Sequence, residues 1–169
     1  TGVGGHGVVG LLQGGQPGKV VALRADMDAL PVAEVTGLPF ASQVKQTNMG
    51  VESPVMHACG HDGHTAMLMA VAEVLAGMRE QIPGTVKFVF QPSEEGLSSA
   101  PVAGKSWGAK AMVEEGALDN PRPDVAFALH IIPNMPSGMT GYRSGPPFAS
   151  GEPVRPKTKG KQTPGGFPW

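Results

Sequence analysis

HTAMLMAVAEVLAGMREQIPGTVKFVFQ, residues 64–91, carries two hydrophobic periods separated by a stop. Met67 or Leu68, Val71, Val74 or Leu75, and Met78 recur at helical spacing, which predicts a helix over 64–80 with its methionine-rich stripe in the core. Pro83-Gly84 ends that pattern. Beyond it, TVKFVFQ (85–91) places Val86, Phe88 and Phe90 on one face by strict alternation, the period of a strand.

Working outward, KVVAL (19–23) and DVAFALHII (124–132) are short continuous apolar runs that read as two more buried strands. GAKAMVEEGALD (108–119) fits a second helix with Met112 and Val113 facing inward. Strands alternating with helices predict an α/β domain, a mostly parallel sheet flanked by helices. No internal repeat is visible.

The bulk properties narrow the function. At 169 residues the chain can bury a core of its own. A formal net charge of −1 supplies no basic field for nucleic acid or an acidic membrane, so neither is an expected partner. No apolar run approaches the roughly 18–20 residues of a membrane span. The opening TGVGGHG lacks the regions of a signal peptide, and without an initiator methionine the sequence is expected to begin inside a longer protein. One cysteine cannot form an internal disulfide, which points to the cytoplasm. From Gly145 onward the chain is rich in proline, and everything after about Ser150 is expected to be weakly structured.

The polar residues fall where such a fold binds ligands, at the carboxyl ends of strands. Asp26 and Asp28 follow the first strand, Glu94 and Glu95 the second, and His130 closes the third. MHACGHDGH (56–64) precedes the first helix and holds the only cysteine with three of the five histidines. Cys59 and His61 offer a thiolate and an imidazole two residues apart, with Gly60 free to turn the backbone, and both are ligands for divalent ions. Alone they are equally a buried cysteine beside turn histidines.

Glu94-Glu95 shifts the balance. Adjacent carboxylates repel unless a cation or a shared proton compensates, and neighbouring side chains diverge. One could bind metal while the other takes a proton from water, the division that metal-assisted hydrolysis requires. His130 ends a run so apolar that an unpartnered imidazole would be costly, so it is a core histidine or a ligand. Asp26 and Asp28 share a face with Arg24, either binding metal or, preferably, orienting a ligating histidine. His57 and His64 are weaker ligand candidates, and His6 reads as structural. A cysteine hydrolase using Cys59 is the rival, but it leaves the glutamates without a role. GLLQGGQPGK (10–19) lacks the spacing of a phosphate loop.

ALRADMDALPV (22–32), MHACGHDGHTAML (56–68), FQPSEEG (90–96), GAKAMVEEGAL (108–118) and the histidine of FALHI (127–131) together resemble the M20 metallopeptidases. The branch they resemble is the N-acyl-amino-acid amidohydrolases, which includes hippurate hydrolase and indole-acetyl-amino-acid hydrolases. The resemblance implies a zinc-peptidase-like catalytic domain holding two divalent ions (manganese, zinc, cobalt or nickel). It implies Cys59, His61, Glu95 and His130 as ligands and Glu94 as general base. The substrate would be a small N-acyl amino acid, cleaved to a carboxylic acid and an amino acid, and the parent protein a homodimer or higher homo-oligomer.

Residues 1–150 would then be the amino-terminal part of the catalytic domain. Residues 151–169, GEPVRPKTKGKQTPGGFPW, would be an aberrant or disordered tail where the dimerisation domain should open. The family's last ligand, a downstream histidine, has no counterpart here, which allows a non-catalytic fragment as a further reading. LSSAPVAGKSW (97–107), after Glu95, is longer than the family pattern leads one to expect.

Overall fold

The computed structural model describes residues 1–98, 104–142 and 144–145. Residues up to Ile132 form one compact unit, and those from Pro133 a second, of which the described part includes a turn closed by Met139 N–H on Pro136 O. The expected tail from 151, and 99–103 of the long loop, lie outside the described residues.

The first unit is built on strands β1 (Val8–Gln13), β2 (Gln16–Asp26), β5 (Pro83–Gln91) and β6 (Val125–Ala128), with a hairpin of β3 (Lys45–Asn48) and β4 (Val51–Pro54). Helix α1 spans His61–Gly77 and α2 spans Gly108–Glu114. The main sheet runs β1-β5-β2-β6, with β2 parallel to β5 and β6 and only β1 antiparallel. β1 and the hairpin were not legible as strands: GVVGLLQG is punctuated by glycine, and the hairpin is short, polar and exposed.

β5 shows why the sheet holds together. Its even positions Val86, Phe88 and, partly, Phe90 pack with Ala25, Ile82 and Leu68 of α1, while Val89 packs with Met112 and Ala117 on the opposite face. Burying a side chain such as Leu68 or Phe88 contributes about 1.5–3 kcal/mol. Lys87 shares the Val89 face, fully buried, and donates from Nζ to Ala117 O (3.1 Å) and Asp119 O (2.6 Å) just after α2. Where β2 bulges between Gln16 and Val20, Gly84 (φ 83°) lies so close that a Cβ would sit 2.0 Å from Lys19 O. Only glycine fits there.

Three expectations need correction. β6 was expected to be buried, yet all four residues are exposed, because among the described residues it pairs only with β2. Val113 points outward, and Gly108, Ala111 and Met112 form the inward face of α2. The stripe of α1 is only partly as expected: the alternatives Leu68 and Leu75 do face the core, with His61, His64 and Ala72, but Met67, Val71, Val74 and Met78 are exposed. The helix begins at His61, three residues early, because Gly60 adopts a left-handed conformation (φ 86°) that turns the chain into its first turn. It ends at Gly77, and a short 3-10 turn, Arg79–Gln81, leads into β5. Among the described residues no helix is long and apolar enough to cross a membrane.

Candidate metal centre

β5 and β6 flank β2 on opposite sides, so the chain reverses its winding direction at β2. A crevice opens at such a switch point, outside the carboxyl ends of the strands. Asp26 is the last residue of β2, and Glu94, Glu95 and His130 follow β5 and β6. Gly60 brings Cys59 and His61 to the same edge. Four separated segments thus meet there.

At the centre stands His61, fully buried. Its Nδ1 lies 3.3 Å from Asp28 Oδ1. Its Nε2 is 3.7 Å from Asp26 Oδ1 and 3.9 Å from both Glu94 Oε2 and Glu95 Oε1. Both nitrogens, and Asp28 Oδ1, are buried without a hydrogen-bond partner among the described residues. Glu94 and Glu95 therefore converge on one atom instead of diverging. Ser93, in a left-handed conformation (φ 52°), has already broken the strand's alternation.

The surroundings are braced. Arg24 donates to Asp26 Oδ2 (2.7 Å) and to Gln91 Oε1 (2.9 Å), so it pairs with Asp26 and not with Asp28. Burial pushes the Asp26 carboxyl pKa up, but the His64 hydrogen bond and the positive charge of Arg24 outweigh it and hold the group below its ordinary value. Asp28 Oδ2 accepts the Glu95 N–H (2.9 Å), fixing the turn after β5. Cys59 Sγ lies 3.5 Å from His130 Nε2. Burial, then Glu95 and the neighbouring carboxylates, push the Cys59 thiol up to about 11.

Among the described residues, three overlapping groups have ligand atoms close enough to hold an ion: Cys59, His61 and His130; His61, Glu94 and Glu95; and Asp26, His61 and His64. All seven site residues anticipated from the sequence fall in or against them. His57 is exposed and belongs to none of the three. His6 lines a cleft of about 580 Å³ together with Asp28, Glu95, Gln46 and Asn48, so it adjoins the centre after all. Ser93 and Gln91 had no signal in the sequence, since their roles arise from backbone conformation and strand register.

The donor set, orphaned imidazole nitrogens among carboxylates and a thiol, fits a divalent cation and leaves an uncompensated negative cluster without one. Residues 22–165 match the profile of peptidase family M20/M25/M40. The chain is 43% identical over 161 residues to thermostable carboxypeptidase 1 of Saccharolobus solfataricus, covering 95% of the chain and 37% of that protein. It is 42% identical over 143 residues to an N-acyl-L-amino acid amidohydrolase of Geobacillus stearothermophilus, covering 85% and 34%. Among solved structures it resembles the YXEP protein of Bacillus subtilis, described as a dinuclear metal-binding peptidase from the M20 family. The TM-score there is 0.62 and the identity 41%, over 77% of this chain and 31% of that one. The chain spans about a third of the length of these relatives.

Proposed function

The chain belongs to peptidase family M20/M25/M40, and from that premise we propose that it carries the metal-binding part of an amidohydrolase acting on N-acyl amino acids. The observation that carries this reading is His61, with two buried, unpartnered nitrogens facing the carboxylates of Asp26, Asp28, Glu94 and Glu95. Cys59, His61, Glu95 and His130 would hold two divalent ions, manganese, zinc, cobalt or nickel. Asp28 orients His61 through Nδ1, and Asp26 supports the cluster from β2.

Such ions, when bound, polarise an amide carbonyl and make water a nucleophile at neutral pH. Glu94 is the more exposed of the two glutamates, its side chain 42% accessible against 28% for Glu95, which suits a group that must meet substrate. It takes a proton from the attacking water and passes it to the amide nitrogen. The C–O bond forms, the C–N bond breaks, and a carboxylic acid and an amino acid leave. A Cys59 nucleophile is disfavoured, because it leaves the carboxylates of Glu94 and Glu95, which converge on His61 Nε2, without a role. The remaining properties of this reading are a cytoplasmic enzyme that assembles as a homodimer or larger homo-oligomer.

Metal content by mass spectrometry tests the reading, with the chain compared against a Glu95→Ala, His130→Ala double variant. The expected result is about one or two divalent ions per chain, lost in the variant. Equal metal content in both, or none in either, overturns the ligand set. Hydrolysis of N-acetyl, N-benzoyl and indole-acetyl amino acids by the whole protein then identifies the acyl group.

A further inference from the structure

We propose that His64 is a positioning residue that holds His130 for metal binding, acting through the backbone of Ile131; this rests on His130 being a ligand. From the sequence His64 looks like a spare ligand one helical turn beyond His61. The structure commits both of its nitrogens elsewhere. Ile131 N–H donates to Nε2 (2.9 Å), and Nδ1 lies 2.6 Å from Asp26 Oδ1. An amide can only donate, so Nε2 is unprotonated and Nδ1 carries the hydrogen that Asp26 accepts. His64 is therefore a neutral bridge, buried with 3% of its surface accessible.

Both backbone polar groups of Ile131 are used. Its N–H is held by His64, and its carbonyl accepts from His130 Nδ1 (2.7 Å). That second bond places the His130 proton on Nδ1 and turns Nε2 toward Cys59 Sγ. A ligating histidine depends on such a partner for its tautomer and orientation. β6 has ended at Ala128, so no strand ladder positions Ile131, and the His64 side chain takes that place. One relay therefore runs from Gln91 through Arg24, Asp26 and His64 to the Ile131 peptide and His130. It registers the end of β6 against α1 and β2, whose pairing is otherwise confined to Val21–Arg24 with Val125–Ala128.

The test uses the full chain, zinc as the probe, and histidine-labelled protein for ¹⁵N NMR of ring tautomers. His64→Leu, His64→Gln and His130→Ala are compared with the natural sequence, with circular dichroism to follow folding. In His64→Leu, zinc affinity is expected to fall about 10–100-fold, and the His130 ring to lose its single Nδ1–H tautomer. A residue that only stabilised the fold would lower the melting temperature and leave that tautomer intact. His64→Gln restores both readouts, because a carboxamide can accept from Ile131 and donate to Asp26. The proposal is overturned if His64→Leu leaves zinc affinity and the His130 tautomer unchanged while His130→Ala weakens binding. If His130→Ala itself changes nothing, the ligand assignment fails first. Should His64→Leu not fold, the natural chain still decides: a His64 ring protonated on Nε2 overturns the bridge.

Discussion

His61 Nδ1 stands 3.3 Å from Asp28 Oδ1, and among the described residues neither atom has a hydrogen-bond partner. A buried polar atom left this way costs about 1–3 kcal/mol. The metal-free fold therefore bears a local penalty at His61, whose other nitrogen, Nε2, faces Asp26, Glu94 and Glu95 and is also unpartnered among the described residues.

That penalty predicts the behaviour of His61→Leu. Without metal the variant should melt no lower than the natural chain, and up to several degrees higher, since about 1 kcal/mol moves the midpoint by ~2–4 °C at this size. Added zinc should raise the midpoint of the natural chain only, by mass action. Calorimetry with and without chelator checks both; a variant that melts far lower without metal would mean His61 is a structural keystone instead.

Asp26 predicts a pH dependence. Its native pKa lies below the ordinary carboxylate value, so its contribution is present above about pH 4 and fades as pH falls through the native value. Asp26→Asn should cost about 1.5–3 kcal/mol at pH 7, the worth of hydrogen bonds to a charged group. The gap should close on acidification. Urea unfolding at pH 7, 5 and 3 measures it, and a gap constant across that range would contradict the assignment.

Gly60 combines a φ of 86° with a virtual Cβ 3.4 Å from Ile131 Cβ. Gly60→Ala should lose about 1–2 kcal/mol from the left-handed backbone and weaken zinc binding by disturbing Cys59 and His61 on either side. Gly60→Asn should lose less, because asparagine tolerates that conformation better. Equal stability of all three proteins would show that the turn relaxes freely.

Lys87 gives the same sign of pH dependence from a group of opposite charge, in an alkaline window. Burial lowers its pKa, partly offset by Asp119, so the natural chain should gain stability as pH rises from the native value toward the unfolded one, near 10.4. Lys87→Met lacks that gain and leaves Ala117 O without its lysine donor, costing about 1–3 kcal/mol at pH 7. Denaturant melts at pH 7 and 9.5 test it; a stabilised variant would mean apolar packing outweighs the two carbonyl bonds.

Much of the candidate centre could be read from residue order. Asp26, Glu94 and His130 follow apolar runs, and the carboxyl-end rule for parallel strands predicts their meeting without coordinates. Cys59 and His61 joined them because a glycine between two ligands marks a turn. The role of His64 could not be read this way. Its partners, Asp26 and the Ile131 amide, are 38 and 67 residues away.

Sequence alone determined the type of β2, β5, β6, α1 and α2, though not of β1 or the hairpin, and the chemistry of the edge, because hydrophobic period and ligand identity are local properties. It was enough to place a strand at Val86, Phe88 and Phe90 and to gather the carboxylates, the thiol and the imidazoles. Tertiary structure decided which face each element turns inward. α1 could have buried Met67 and Val71; it buries His61, His64 and Leu68 because Asp26 holds His64 against the end of β2. β6 reads as a core strand but is exposed, because burial depends on what packs beside a strand and not on its own composition. Whether a histidine binds metal or braces its neighbour is likewise set by long-range partners that a local pattern does not contain.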